Sequence, residues 1–518
     1  MSLDRVSQNN TPMSASAPHL AKADTFVRRG ASNESPALRT PRNRALPPVE
    51  PSATQRRYPR YVPAANLSQC LLDLVLIGGS QVVVLSLIYS RLALVGLIQA
   101  TAVVGISIVT SMILLYATGC YRRDAILNRT TALSRVPTAL AISGAVLFLV
   151  LHYGFPVLFP SARVFWSISR CVTIVLVGTG VSLGAAIISR NVVRVLLHSN
   201  FFRRRIMVVG TGQRARHIED ISQAQGSLQE IHFVSEDVLT PSVQAQAADV
   251  PTIGELTDRF SIDEIVVAVD DRSRVALDGL LACKTRGVPV TEFNSYLERQ
   301  TGRVELAWLE LPWLIHTPGF QFRLIDDAVK RVMDIILSLT ALVISLPVLV
   351  VAMIAIRLDS PGSVIYRQQR VTRGGRVFWL YKLRSMRIDA EQNGAIWAAE
   401  NDPRITKVGN FLRRSRLDEI PQLVNILIGD MSIVGPRPER PCFVDDLSRQ
   451  LRLYDLRHTV RAGLTGWAQI NYHYGASLED AQRKLEYDLF YIKNFSLLRD
   501  LGIMLQTLRV VLWPEGVR

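Results

Sequence analysis

Residues 332–358 read VMDIILSLTALVISLPVLVVAMIAIRL, a predominantly apolar run with Pro347 near its centre. Its length meets the ~20 residues needed to cross a bilayer. Proline removes one helical hydrogen bond and its ring clashes with the preceding turn, so a kink is expected at Pro347. Both flanks are basic: Lys330 and Arg331 precede the run, and Arg357, Arg367 and Arg370 close or follow it. Basic flanks stay on the cytoplasmic face. A helix that enters the bilayer, bends at Pro347 and leaves by the same face satisfies both features. A spanning helix would carry the basic chain beyond it to the far side. The sequence therefore predicts a re-entrant membrane helix over 332–358.

Towards the N-terminus lie four more apolar segments, roughly 67–90, 93–117, 136–159 and 164–188, each of membrane-crossing length. Arg122, Arg123, Arg129 and Arg135 fall between the second and third, and Arg190, Arg194 and Arg203–Arg205 follow the fourth. This asymmetry predicts four transmembrane helices within 65–190, with both ends of the set cytoplasmic. Asp73 and Arg170 lie close enough to segment ends to snorkel into the interface. Residues 1–64 hold ten basic and four acidic residues among Ser, Pro and Ala. That composition predicts a disordered basic tail without a cleavable signal peptide.

Between 200 and 320 the pattern changes to α/β. RIMVVGTG (205–212) ends an apolar run in glycines, and Gly210-x-Gly212-x-x-Ala215 resembles a dinucleotide-binding turn. Further strands are expected at 264–269 and 288–293. Two readings fit this cytoplasmic Rossmann-like domain: a nucleotide site, or a scaffold whose glycines only make a tight turn.

The whole chain has 518 residues, 48% of them hydrophobic, and a formal charge of +15. With long apolar runs, such a balance points to a lipid bilayer and phosphorylated substrates rather than nucleic acid. The five cysteines form no CxxC pair, so neither a disulfide framework nor a zinc site is indicated.

From 327 to 518 the chain is dense in short motifs. In RSRLDEIPQLVNILIGDMSIVGPRPER (414–440), Leu417, Ile420, Val424 and Leu427 recur at helical spacing. Pro421 places Asp418 and Glu419 near a helix N-terminus. Adjacent carboxylates there can hold a divalent cation, or supply a nucleophile and a base; a helix cap beside a solvated acid is the plainer alternative. Basic residues surround them: Lys382, Arg384, Arg404, Arg413, Arg414, Arg437 and Arg461. Guanidinium forks match phosphate oxygens, which suggests a polyanionic substrate at a membrane.

KRVMDIILS (330–338), RLDSPGSVIYRQQRV (357–371), YKLRSMRIDAE (381–391), DPRITKVGNFLRRSRLDEIPQLVNILIGDMSIVGPRPERP (402–441), GLTGWAQINYHYG (463–475) and KLEYDLFYIKNFSLLRD (484–500) together resemble the monotopic phosphoglycosyl transferases. These are bacterial sugar transferases that prime exopolysaccharide, O-antigen and glycan assembly. The preceding helices and α/β region resemble the large-form members, for which a homodimer is plausible, and NYHYGAS and VVLWPEGVR resemble exopolysaccharide-linked ones.

The resemblance implies a ping-pong enzyme at the bacterial inner membrane, with its catalytic domain (327–518) facing the cytoplasm. Asp418 would attack the β-phosphate of a UDP-sugar, with glucose or galactose as the leading sugars. UMP would leave, and undecaprenyl phosphate would take the sugar-1-phosphate. Mg2+ at Asp418 and Glu419 would offset the diphosphate charge. Lys382, Arg413, Arg437, Pro438 and Asp488 match family positions in the substrate site. Thr372, Ser345, Ser363, Arg416 and Ala462 depart from the family pattern, and none touches the acid pair.

Two rivals stand beside this reading. A nucleotide-sugar dehydratase or epimerase needs Tyr-x-x-x-Lys, and none of the fourteen tyrosines has Lys four residues on. A non-enzymatic scaffold of polysaccharide export would not need the intact acid pair. His473 is expected as a surface histidine. Residues 496–513 are expected as an interfacial amphipathic helix, with a buried core helix as the alternative.

Overall fold

The computed structural model describes residues 63–512 except 89–93, 123–124, 127, 159–166, 200–203, 226–228, 240–251, 272–274, 276, 321–323, 388–389, 391–403 and 473–476. The tail reading of 1–64, apart from its last two residues, and His473 lie outside the described residues. The observed architecture is a membrane protein of α plus α/β class.

Four helices open the described chain: α1 (Pro63–Ile88), α2 (Leu94–Ala117), α3 (Arg129–Leu149, extended by a π turn and Phe155–Leu158) and α4 (Ile168–His198). Segments apolar on all sides satisfy their backbone internally and can sit in lipid. Two boundaries differ from expectation. α3 starts at Arg129 rather than 136, and α4 runs ten residues past 188, because helix geometry continues where the chain has already turned polar.

Asp73 does not snorkel. It is fully buried and pairs with Arg190 across α1 and α4 at 2.7 Å. Gln69 bridges Asp73 and Ser189. A bare carboxylate in lipid is costly, so it is held by a partner 117 residues away that local reading could not find. Further along, Gln81 donates to the Gly178 carbonyl and to Ser182.

A parallel sheet follows, made of β1 (Arg204–Val209), β2 (Gln229–Val234), β3 (Glu264–Val267) and β4 (Val290–Glu292) in the order β2-β1-β3-β4. Apolar clusters cover both faces, one around Met207, Val209 and Ile265 and the other around Ile206, Val208 and Phe293. This is the doubly covered arrangement expected of a Rossmann-like unit.

Its glycine turn joins β1 to α5 (Gln213–Gln225). A dinucleotide phosphate would sit on the backbone amides at that helix start. Here Asp270 sits on them instead, accepting from the backbone amides of Gln213 (2.8 Å) and Arg214 (3.2 Å). A Cβ on Gly212 would lie 2.1 Å from the Asp270 carboxylate. Gly212 thus admits the chain's own acid at the place where a phosphate would bind, which favours the scaffold reading.

Five helices are long and apolar enough to cross a membrane among the described residues, and the fifth is α6 (Leu324–Asp359). Helical structure continues through Pro347. The first leg of α6 is tied down by polar contacts. Lys330 pairs with Asp500, Arg331 donates to the carbonyls of Ile426 and Leu427, and Asp334 accepts from the Ile433 amide. The second leg buries Leu349, Ala352 and Ile356 against Leu383 and Leu412. Val332, Ile336, Val343, Ile344 and Val351 face outward and are exposed.

The rest is mostly helical around two small sheets. The hairpin β5 (Ile365–Val371) and β6 (Val377–Leu383) is antiparallel, while β7 (Met431–Val434) and β8 (Ala462–Thr465) pair in parallel. α7 (Lys407–Arg414) and α8 (Gln422–Ile428) pack on the second leg and first leg of α6 respectively, and α9 (Leu478–Lys493) and α10 (Leu497–Leu512) close the fold. α10 buries Asp500 and Ile503 and exposes Leu498 and Leu501. It also meets the membrane helices: Arg122, just beyond α2, donates to Asn471 (3.2 Å) and Gln506 (3.1 Å).

Candidate active site

The acid pair sits where the helix run is broken. α7 is capped by Thr406, whose hydroxyl accepts from the Gly409 amide at 3.0 Å. Arg416 then takes a left-handed conformation (φ 58°), unusual for a residue with a Cβ. A single 3-10 turn, Leu417–Glu419, carries the acids, and Pro421 restarts the chain as α8. Breaking the helix changes its phase. The apolar face expected from Leu417, Ile420, Val424 and Leu427 is therefore not the buried one of α8: Leu423 and Ile426 are buried and Val424 is exposed.

The two carboxylates have different surroundings. Glu419 Oε1 accepts from Lys382 Nζ at 3.1 Å and from Arg437 at 2.8 Å. Burial works against its charge, yet Arg437 and Lys382 hold its carboxyl well below the usual range. Burial also pulls the Lys382 ammonium below its ordinary value, with Glu419 opposing. Asp418 is buried, 7% exposed, and accepts no hydrogen bond from any described residue. Burial pushes its carboxyl up, Glu419 adds to the shift, and Lys382, Arg413 and Arg416 oppose it. Glu419 is clamped in its ionised form, and Asp418 is held beside it with its oxygens bonded by no described residue.

Lys382, Glu419 and Arg437 come together from β6, the 3-10 turn and the loop after β7. Arg413 acts on Asp418 electrostatically while its Nε donates to Ser385 Oγ at 2.9 Å. Arg384 is spent elsewhere, forking onto the Ser360 and Pro361 carbonyls to tie β6 to the end of α6. Arg461 pairs with Asp327 at 3.0 Å and lines a shallow basic pocket with Arg373 and Arg376. Arg376 lies six residues along the strand from Lys382, about 20 Å at ordinary strand rise. The basic residues that read as one group thus form two.

Asp488 is buried and does not reach the acids. It accepts from Arg457 at 3.0 Å, and Arg457 in turn donates to the Arg437 carbonyl at 2.9 Å. Burial raises the Asp488 carboxyl to about 6 even though Arg457 opposes it. Pro438 contributes its carbonyl, which accepts from Arg370 at 2.9 Å. Sequence reasoning missed Arg457 and Arg370 as site residues. Arg457 lies between the quoted motifs, and Arg370 lies inside one but read only as a basic flank of the membrane helix.

Among the described residues no group of three or more acidic, His or Cys side chains could hold a metal ion. Mg2+ does not need one, because it is commonly bound by one or two carboxylates plus substrate phosphates. Asp418, which accepts no hydrogen bond from a described residue, and Glu419, whose two cation partners converge on Oε1, fit a site of that open kind.

The site is thus a paired carboxylate, Glu419, and beside it Asp418, which accepts no hydrogen bond from a described residue, next to a basic loop and close to α6. The family model described as bacterial sugar transferase matches residues 325–514. The UDP-N-acetylgalactosamine-undecaprenyl-phosphate N-acetylgalactosaminephosphotransferase of Aeromonas hydrophila is 41% identical over 242 residues, covering 46% of this chain and 56% of that protein. The UDP-glucose:undecaprenyl-phosphate glucose-1-phosphate transferase of Escherichia coli is 43% identical over 185 residues, covering 35% and 40%. The exopolysaccharide production protein PSS of Rhizobium leguminosarum bv. phaseoli is 38% identical over 192 residues, covering 35% of this chain and 94% of its own. The match thus spans about half the length of the first two relatives and nearly all of the third. The chain belongs to the bacterial sugar transferase family.

Proposed function

We propose that this protein transfers a sugar-1-phosphate from a UDP-sugar to undecaprenyl phosphate, priming an exopolysaccharide. The observation that carries the reading is the asymmetry of the acids: Glu419 is clamped by Lys382 and Arg437, while Asp418 next to it accepts no hydrogen bond from a described residue. An Asp418 oxygen attacks the β-phosphorus of the UDP-sugar. An aspartyl phosphosugar bond forms as the bond from that phosphorus to the bridging oxygen breaks, and UMP leaves with that oxygen. An oxygen of undecaprenyl phosphate then attacks the same phosphorus, which returns the electron pair and the free carboxylate to Asp418. Arg437 and Lys382 lie where phosphate charge would gather. Mg2+ held by Asp418 and Glu419 would supply further charge neutralisation of the diphosphate.

The legs of α6 both contact elements of the C-terminal region, which supports a re-entrant path that keeps that region on one face of the membrane. Basic residues at the ends of the helix set support the cytoplasmic face of the bacterial inner membrane. Relatives named for glucose and for N-acetylgalactosamine leave a choice of sugar to be made by a panel of UDP-sugars, with glucose and galactose first.

The test is UMP release from that panel by the full chain in lipid, with undecaprenyl phosphate and Mg2+. Asp418→Asn should abolish turnover and the trapped phosphosugar adduct. UMP release unchanged in that variant would overturn the mechanism.

A further inference from the structure

We propose that Arg457 is a positioning residue that aims Arg437 at the reacting phosphate, and that Asp488 acts on the reaction only through Arg457. The proposal rests on the functional reading above and concerns how its basic loop is held. The loop after β7 carries Arg437, whose side chain reaches Glu419 at 2.8 Å. Its backbone is pinned at three successive carbonyls. Arg457 Nη2 donates to the carbonyl of Arg437 (2.9 Å), Arg370 Nη1 to that of Pro438 (2.9 Å), and the Val371 amide to that of Glu439 (3.0 Å).

Arg457 is the contact nearest the working side chain. It is 7% exposed, and both N–H bonds of Nη2 are used, one on Arg437 and one on Asp488 at 3.0 Å. Nη1 donates to the Tyr454 hydroxyl at 2.6 Å, and the guanidinium stacks 5.0 Å over the Tyr454 ring. A planar fork held on three sides has one orientation. Nη1 and Nη2 bond protein groups and Nε is buried without a hydrogen-bond partner among the described residues, so its effect on substrate passes through the Arg437 backbone. Asp488 supplies the opposing charge. Glu439, two residues from Arg437, is a second carboxylate that acts on Arg457. Removing the Asp488 charge would let Glu439 draw the fork away from the carbonyl.

A misplacement of about 1 Å can cost on the order of 100-fold in rate. Full-length protein in lipid nanodiscs is assayed for UMP release with the UDP-sugar that the wild type uses. Arg457→Gln, Asp488→Asn and Arg437→Gln are made singly, and the first two are also each combined with Arg437→Gln. Arg457→Gln should lower kcat/KM by roughly 10- to 100-fold, and Asp488→Asn should lower it in the same direction. In the Arg437→Gln background both should have effects within about twofold, because the side chain they aim is gone. A purely structural role predicts losses that multiply in the double variants. That result, or wild-type kcat/KM in both Arg457→Gln and Asp488→Asn, would overturn the proposal. Should Arg457→Gln fail to fold, the near-isosteric Asp488→Asn cycle decides the question. A wild-type chain that releases no UMP from any UDP-sugar would overturn the functional reading itself, and the positioning role with it.

Discussion

Asp418 and Glu419 are neighbours in sequence with opposite electrostatic settings. In the proposed reaction Asp418 must be ionised to attack, so activity should rise as pH climbs through its raised pKa. Lys382 opposes that rise, so Lys382→Met should move the acid limb of kcat to higher pH. Glu419 adds to it, so Glu419→Gln should move the limb to lower pH. The positions of the two limbs, read separately from their amplitudes, check the assignment. Limbs shifting together would show that Asp418 is not the titrating group. In the proposed reaction the same pairings would make Glu419 the poorer nucleophile of the two, because its charge is already committed to two cations.

Among the elements, α1 and α4 of the membrane set share the buried ion pair Asp73–Arg190. Breaking such a pair leaves an uncompensated charge and costs about 3–5 kcal/mol, whereas replacing both partners by apolar groups is often near neutral. Asp73→Leu alone should therefore lower the thermal unfolding midpoint in detergent strongly, and adding Arg190→Leu should recover most of the loss. Losses that simply add would mean that the contact at 2.7 Å contributes little to how α1 and α4 pack. The broken helix around the acids is the other decisive element. Arg416 in the left-handed region and Pro421 before α8 turn a continuous apolar pattern into two short segments of different phase. The outcome is that Asp418 is buried and faces the site.

At the scale of the molecule, the Rossmann-like unit grips α9, the helix that carries Asp488. Arg303 bonds Glu305 at 2.6 Å and lies 3.4 Å from Glu486 on α9, and the Leu306 amide donates to Glu486. Burial pushes the Glu305 carboxyl up, but the His217 hydrogen bond and the Arg303 charge bring it down to about 2. A depressed carboxylate contributes stability above its unfolded pKa that is lost as pH falls through the folded value. Here that window runs from about 4.5 down to about 2. Arg303→Ala should therefore flatten acid unfolding in that window. At neutral pH it should also destabilise the fold, because Glu305 is left with His217 and Glu486 with Arg483 and the Leu306 amide as their partners. Unfolding curves measured from pH 7 to pH 2 check both statements.

Much was legible along the chain because it depends on local pattern. Apolar length marked four membrane-crossing helices and a fifth run read as re-entrant, an apolar run ending in glycines marked the α/β unit, and dense motifs around Asp418, Glu419, Lys382 and Arg437 marked the family. What could not be read locally depends on partners far apart in sequence. Arg190 meets Asp73, Asp270 fills the turn at Gly212, Arg461 pairs with Asp327, and Asp488 pairs with Arg457. Sequence by itself determined which residues can be charged, apolar or bent. Only the tertiary structure decided which charges neutralise one another and which remain available, because a buried charge takes its character from whatever the fold places within a few ångströms of it.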